Sequence, residues 1–121
     1  MNNKITILGM FAVDLTFVVE RLPEIGETIF SEDFYSGPGG KGSNQAVASS
    51  RLGADVCFLT SIGKDYFGKI GINLWKEEKI NAQYILKDRP TGTAFIYLDK
   101  KKIIMQLLLI IVLQKIYHLI L

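Results

Sequence analysis

The chain has 121 residues, enough for one domain with its own core, and a formal charge of +2. That charge is unevenly spread: residues 1–99 carry 10 Lys or Arg against 12 Asp or Glu, a net of −2, while residues 100–121 carry four Lys and no acid. A nucleic-acid footprint needs clustered cations on a folded face, so the body of the chain argues against that class of partner. Cys57 is the only cysteine and His118 the only histidine, which excludes an intramolecular disulfide and a His/Cys metal cluster. The thiol lies in the apolar run Val56-Cys57-Phe58-Leu59 and reads as buried. The N-terminus has no basic region followed by an apolar stretch and a cleavage site, so the cytoplasm is the expected compartment.

In chain order, Lys4 to Gly9 reads as a short buried strand closed by glycine, and Leu15 to Val19 as a second extended stretch. Pro23 and Gly26 mark a turn, after which the β-branched and aromatic content of Glu27 to Tyr35 suggests a two-stranded excursion. Gly37 to Gly42 reads as a glycine-rich loop. Ser43 to Leu52 then predicts a short helix that ends at Gly53, where a left-handed residue suits the C-terminus. Asp55 to Thr60 reads as a buried strand. Asp65 can cap a second helix, with Phe67, Ile70, Leu74 and Trp75 on one core-facing side and an end near Lys79 to Asn81. Two strands follow, Tyr84 to Lys87 and Thr93 to Asp99, separated by Arg89-Pro90-Thr91-Gly92. This order predicts an α/β sandwich with a mainly parallel central sheet.

Two phosphate-loop motifs can be set aside. Gly37-Pro38-Gly39-Gly40-Lys41-Gly42 fits a dinucleotide fingerprint as a string, but that motif belongs directly after a first strand, and here an extended excursion intervenes. A Walker A loop would need Ser or Thr after Lys41 and glycine at position 35, where the chain has Gly42 and Tyr35. What the glycines do permit is close backbone approach and positive φ beside the N-terminus of a helix. Lys41 and Asn44 add a cation and an amide, which suits a polyhydroxylated ligand or a developing anion. A plain capped helix start would use the same residues, and the spacing alone leaves both readings open.

The string Gly39-Gly40-Lys41-Gly42-Ser43-Asn44-Gln45-Ala46, followed by Gly53 and Gly63, resembles the N-terminal signature of the ribokinase-like (PfkB) carbohydrate kinases. Gly26-Glu27-Thr28 ahead of it and Thr91-Gly92-Thr93-Ala94 after it extend the resemblance over residues 4–99. It implies a ribokinase-like sandwich with a small β lid over residues 13–36, incomplete at its C-terminal side, that holds the sugar and makes a homodimer contact through the lid. The implied activity is ATP-dependent phosphorylation of a sugar, ribose to ribose 5-phosphate first, with another sugar or a nucleoside as the alternative acceptor. ATP and Mg²⁺ are the implied cofactors, with activation by a monovalent cation. Asp14, Gly40, Lys41, Gly42 and Asn44 match the family's sugar-binding positions, Asp14 as acceptor of sugar hydroxyl hydrogen bonds. Thr93 and Phe95 are expected on the strand that leads back over the sugar. Ala12 departs from the pattern, because the family commonly carries asparagine there, and the loss of a built-in polar contact alters discrimination between sugars.

In this family a C-terminal Gly-Ala-Gly-Asp stretch supplies the catalytic base and serves the ATP site, and the sequence contains no such stretch. The resemblance therefore implies a truncated, inactive copy with no catalytic residue of its own, or a non-catalytic sugar-binding or dimerisation module. Residues 100–121 have no defensible helical or strand period. The expectation is an aberrant tail, translated out of frame after the Lys100-Lys101-Lys102 run; a membrane anchor is less favoured because Gln106, Gln114, Lys115 and His118 interrupt the apolar run.

Overall fold

The computed structural model describes residues 3–99 and, for the course of the backbone, residues 104–110. In chain order these form β1 (Lys4–Leu8), β2 (Ala12–Val19), β3 (Asp33–Gly39), α1 (Lys41–Arg51), β4 (Asp55–Gly63), α2 (Tyr66–Glu77), β5 (Asn81–Lys87), β6 (Gly92–Asp99) and β7 (Ile104–Ile110). The strands divide into two sheets. The main sheet, ordered β1-β4-β5, is wholly parallel; the second is ordered β3-β2-β6-β7. In the second sheet β2 pairs antiparallel with β3 and parallel with β6, and β6 pairs antiparallel with β7. The expected α/β architecture with a mainly parallel sheet and a small second sheet is present, and the second sheet also takes in β6 and β7.

The core forms where both helices cover one face of the main sheet. Val56, Phe58 and Ile62 alternate along β4 and pack with Phe11, Val13, Ala46, Trp75 and Ile80. Phe67, Ile70 and Leu74 pack against this cluster alongside Trp75, as their helical spacing predicts. Trp75 is 1 % exposed, and its ring meets those of Phe11 and Phe58 edge-on at 5.4 Å. Its indole N–H donates to Ser43 Oγ at 3.1 Å, which ties α2 to the first turn of α1. Truncating a buried aromatic of this kind costs about 3–5 kcal/mol.

The elements start and stop for local reasons. Asp65 caps α2 by accepting the Gly68 amide at 2.8 Å. The helix ends in Lys79, a non-glycine residue at φ 57°, while the Ile80 amide returns to the Trp75 carbonyl at 2.8 Å. α1 has glycine at its N-cap, begins at Lys41 and stops just before Gly53 at φ 91°.

The glycine-rich segment differs from the loop predicted over Gly37 to Gly42. β3 runs on through Gly37, Pro38 and Gly39, which pair with Asp14, Val13 and Ala12, and only Gly40 lies between that strand and α1. The strand survives this composition because β2 fixes its partners residue by residue, whereas local propensity alone reads Gly-Pro-Gly as a turn. Likewise 104–110 has no two-residue period because the run is apolar at every position but Gln106, yet it pairs with β6 from Asp99↔Ile104 to Thr93↔Ile110. The rest of the expected tail, residues 100–103 and 111–121, lies outside the described residues.

Candidate functional site

The chain passes from the main sheet into the second sheet at Gly9 to Phe11 and returns at Gly40, so the end of β1, the start of β2 and the start of α1 converge. The convergence is backbone to backbone. A Cβ on Gly42 would lie 2.7 Å from Gly9 Cα, and one on Gly40 would lie 2.9 Å from Phe11 Cα. Gly40 also holds φ 91°, a conformation that side-chain-bearing residues rarely adopt. The Ser43 amide donates to the Met10 carbonyl at 3.2 Å and the Asn44 amide to the Gly40 carbonyl at 2.9 Å, which stitches the helix start to the strand crossing. One first-turn donor, that of Ser43, is thus used internally. The amides of Lys41 and Gly42 have no acceptor within the helix, and the positive end of the helix dipole lies there with them.

Asp14 stands on β2 opposite Gly37 and beside Ala94 of β6. Its carboxyl group lies over Gly39: a Cβ on that glycine would be 2.5 Å from Asp14 Cγ. The site therefore brings Asp14 to the residue next to Gly40. The carboxyl is half-buried, and burial pushes its pKa above the ordinary aspartate value. Lys41 and Asn44 are exposed on the first turn of α1, and Gly42 is buried against Gly9. An acceptor on β2 over Gly39, and a cation and an amide exposed on the first turn of α1 that follows, are groups that suit a neutral molecule rich in hydroxyl groups.

Thr93 and Phe95 lie on β6 beside β2, the strand where they are expected, and alternation adds which face they take. Register places Ala94 beside Asp14, with Ile96 next on the same face, whereas Thr93 and Phe95 pair with Val13 and Leu15 on the opposite face. Thr93 Oγ1 instead donates to the Thr91 carbonyl at 3.2 Å. Strand composition alone cannot fix which parity faces Asp14, because that depends on the pairing of β2 with β6. Sequence reading also missed a group of hydrogen bonds at the foot of β6. Asp65 accepts from the Thr91 hydroxyl at 2.7 Å and from the Thr91 amide at 2.8 Å, and the Thr91 hydroxyl accepts from the Gly63 amide at 2.9 Å. Among the described residues no group of three or more His, Cys, Asp or Glu could hold a metal ion.

The model of the pfkB family carbohydrate kinases matches residues 2–109, both sheets included. The chain belongs to the pfkB carbohydrate kinase family. Within that family it is 37 % identical over 99 residues to the ribokinase of Mus musculus, covering 80 % of this chain and 31 % of that one. The structure is similar to that of ribokinase from Giardia lamblia, with a TM-score of 0.80 at 32 % identity over 91 % of this chain and 33 % of that one. It is also similar to that of Arabidopsis thaliana ribokinase complexed with ribose and ATP, with a TM-score of 0.77 at 25 % identity over 91 % of this chain and 36 % of that one. The chain spans about a third of the length of these pfkB relatives. Among the described residues no helix is long and apolar enough to cross a membrane.

Proposed function

We propose that this chain carries the sugar-binding portion of a cytoplasmic sugar kinase whose reaction is ATP-dependent phosphorylation of ribose. Asp14 accepts hydrogen bonds from adjacent sugar hydroxyls, Gly40 and Gly42 let the start of α1 close against the β1–β2 crossing beside it, and Lys41 and Asn44 hold the sugar's remaining oxygens. The observation that carries this reading is the placement of the Asp14 carboxyl over Gly39, one residue before the glycine N-cap of a helix that has no side-chain cap. A half-buried carboxylate that has given up part of its hydration gains from hydroxyl donors that a ligand brings.

ATP and Mg²⁺ belong to this reading through kinship. The described residues gather no acidic cluster suited to the metal, and no transfer step is assigned to them. Phosphoryl transfer needs a base, donors around the transferring group and a metal-bound nucleotide together. We therefore expect the 121-residue chain to bind sugar without turning over ATP. Thermal melting of the purified chain with and without ribose, beside a coupled assay for ADP, tests both halves. A ribose-dependent rise in melting temperature with no ADP is expected. Ribose phosphorylation by the chain alone would refute the inactivity, and absence of any sugar-dependent shift would refute the binding.

Ala12 is 2 % exposed and offers no polar side-chain atom at the position where the family resemblance leads one to look for an amide. That favours a second acceptor, another pentose, a hexose or a nucleoside, and a panel of these in the same melting assay ranks them against ribose. The lid carries apolar side chains with little cover, Ile25 and Phe30 almost fully exposed and Phe34 and Tyr35 about half exposed. They support homodimer contact through this sheet.

A further inference from the structure

Asp65 lies in the main-sheet half of the molecule and Thr91 is the residue before β6, a strand of the second sheet. Their hydrogen bonds are the side-chain link between those two parts at this point. One carboxylate takes three donors from two elements: the Thr91 hydroxyl at 2.7 Å, the Thr91 amide at 2.8 Å and the Gly68 amide of α2 at 2.8 Å. The same hydroxyl then accepts the Gly63 amide at the end of β4, at 2.9 Å. Thr91 is 2 % exposed, so these bonds are shielded from competing water. Two glycines make the space. A Cβ on Gly63 would stand 2.7 Å from the Thr91 amide nitrogen, and one on Gly68 would stand 3.2 Å from Thr91 Oγ1.

What this knot holds is the foot of β6. The next residue, Gly92, pairs with Ala12 and sits so close to the β1–β2 crossing that a Cβ on it would be 3.0 Å from the Phe11 carbonyl oxygen. Two residues on, Ala94 pairs with Asp14. The path from the knot to the Asp14 carboxyl thus runs through three residues of one strand and a single step across the sheet.

We infer that Asp65 and Thr91 are positioning residues which latch the foot of β6 to the main sheet and so fix Asp14 over the glycine-lined entrance. The ligand half of this inference rests on the polyol reading above, and its structural half does not. The test uses the full chain with Thr91→Val, which keeps the shape and removes the hydroxyl, Thr91→Ser, which restores it, and Asp65→Asn. Amide hydrogen exchange and ribose titration are read on each. Thr91→Val and Asp65→Asn are expected to speed exchange in β2 and β6 by about ten-fold or more while β1, β4 and β5 keep their protection, and to weaken ribose binding by about ten-fold. Thr91→Ser is expected to stay within about three-fold of the parent on both readings. Unchanged exchange in β2 and β6 of a folded Thr91→Val chain overturns the latch. Faster exchange with undiminished ribose affinity overturns its positioning role. If the parent chain itself binds no ribose, the polyol reading falls and the exchange pattern still decides the latch.

Discussion

Asp14 is an acid on a strand whose inward neighbours, Val13 and Leu15, pack into or against the core, and the fold holds its carboxyl against bare glycine backbone. Burial raises its pKa, so folding favours the protonated form. The associated stability is fully present below the unfolded value of about 3.9 and is lost as pH rises through the raised folded value. At neutral pH the charged group is therefore a burden on the unliganded chain. Asp14→Asn is expected to melt above the parent near about pH 7, with the gap closing below about pH 4, and to bind ribose at least about ten-fold more weakly. Melting curves across that range with a parallel titration check both. This opposition between stability and binding is what a ligand-facing acid should show and a solvated turn acid should not. The residues of the entrance were legible in the sequence, because glycines at Gly39, Gly40 and Gly42 record where backbone must approach backbone or take positive φ. Ala94 was not legible: its small side chain carries no chemical signal, and only register brings it to Asp14.

Among the elements, α2 and the approach to β6 share one acid. Burial alone would raise the Asp65 pKa, but hydrogen bonds from the Thr91 hydroxyl and from the Thr91 and Gly68 amides outweigh it, and the net shift is downward. The sign is opposite to that of Asp14: the stability Asp65 contributes is present above about pH 3.9 and lost as pH falls through the lowered folded value. Asp65→Asn is expected to have a lower urea midpoint than the parent near about pH 7, and the difference should shrink towards about pH 3. Midpoints at a series of pH values check it. As a helix cap, Asp65 could be read from sequence, since an acid before an apolar periodic run is a local signal. Its bonds to Thr91 could not, because they join residues far apart in the chain. Strand extents failed for a related reason. Gly37 to Gly39 carries turn chemistry locally but is held extended by β2, and 104–110, apolar except at Gln106, gives no period although β6 pairs with it throughout.

On the scale of the whole molecule, the strand and helix order predicts the α/β class, and buried runs such as Val56 to Leu59 mark the parallel sheet. The division of strands between two sheets was less accessible, since β6 leaves its sequence neighbour β5 and pairs with β2 instead. That choice sets β6 beside Asp14 on β2, near the start of α1. The arrangement makes one central claim: the space between Asp14 and the first turn of α1 receives a polyol. The most direct measurement is a titration of the isotope-labelled 121-residue chain with ribose, followed through the backbone amide resonances. The account expects saturable shifts concentrated at Asp14, Gly39, Gly40, Gly42 and Asn44, absent from Asp14→Ala under conditions where its other resonances stay dispersed. Saturable shifts confined to other parts of the chain, or persisting at the entrance in Asp14→Ala, would contradict it.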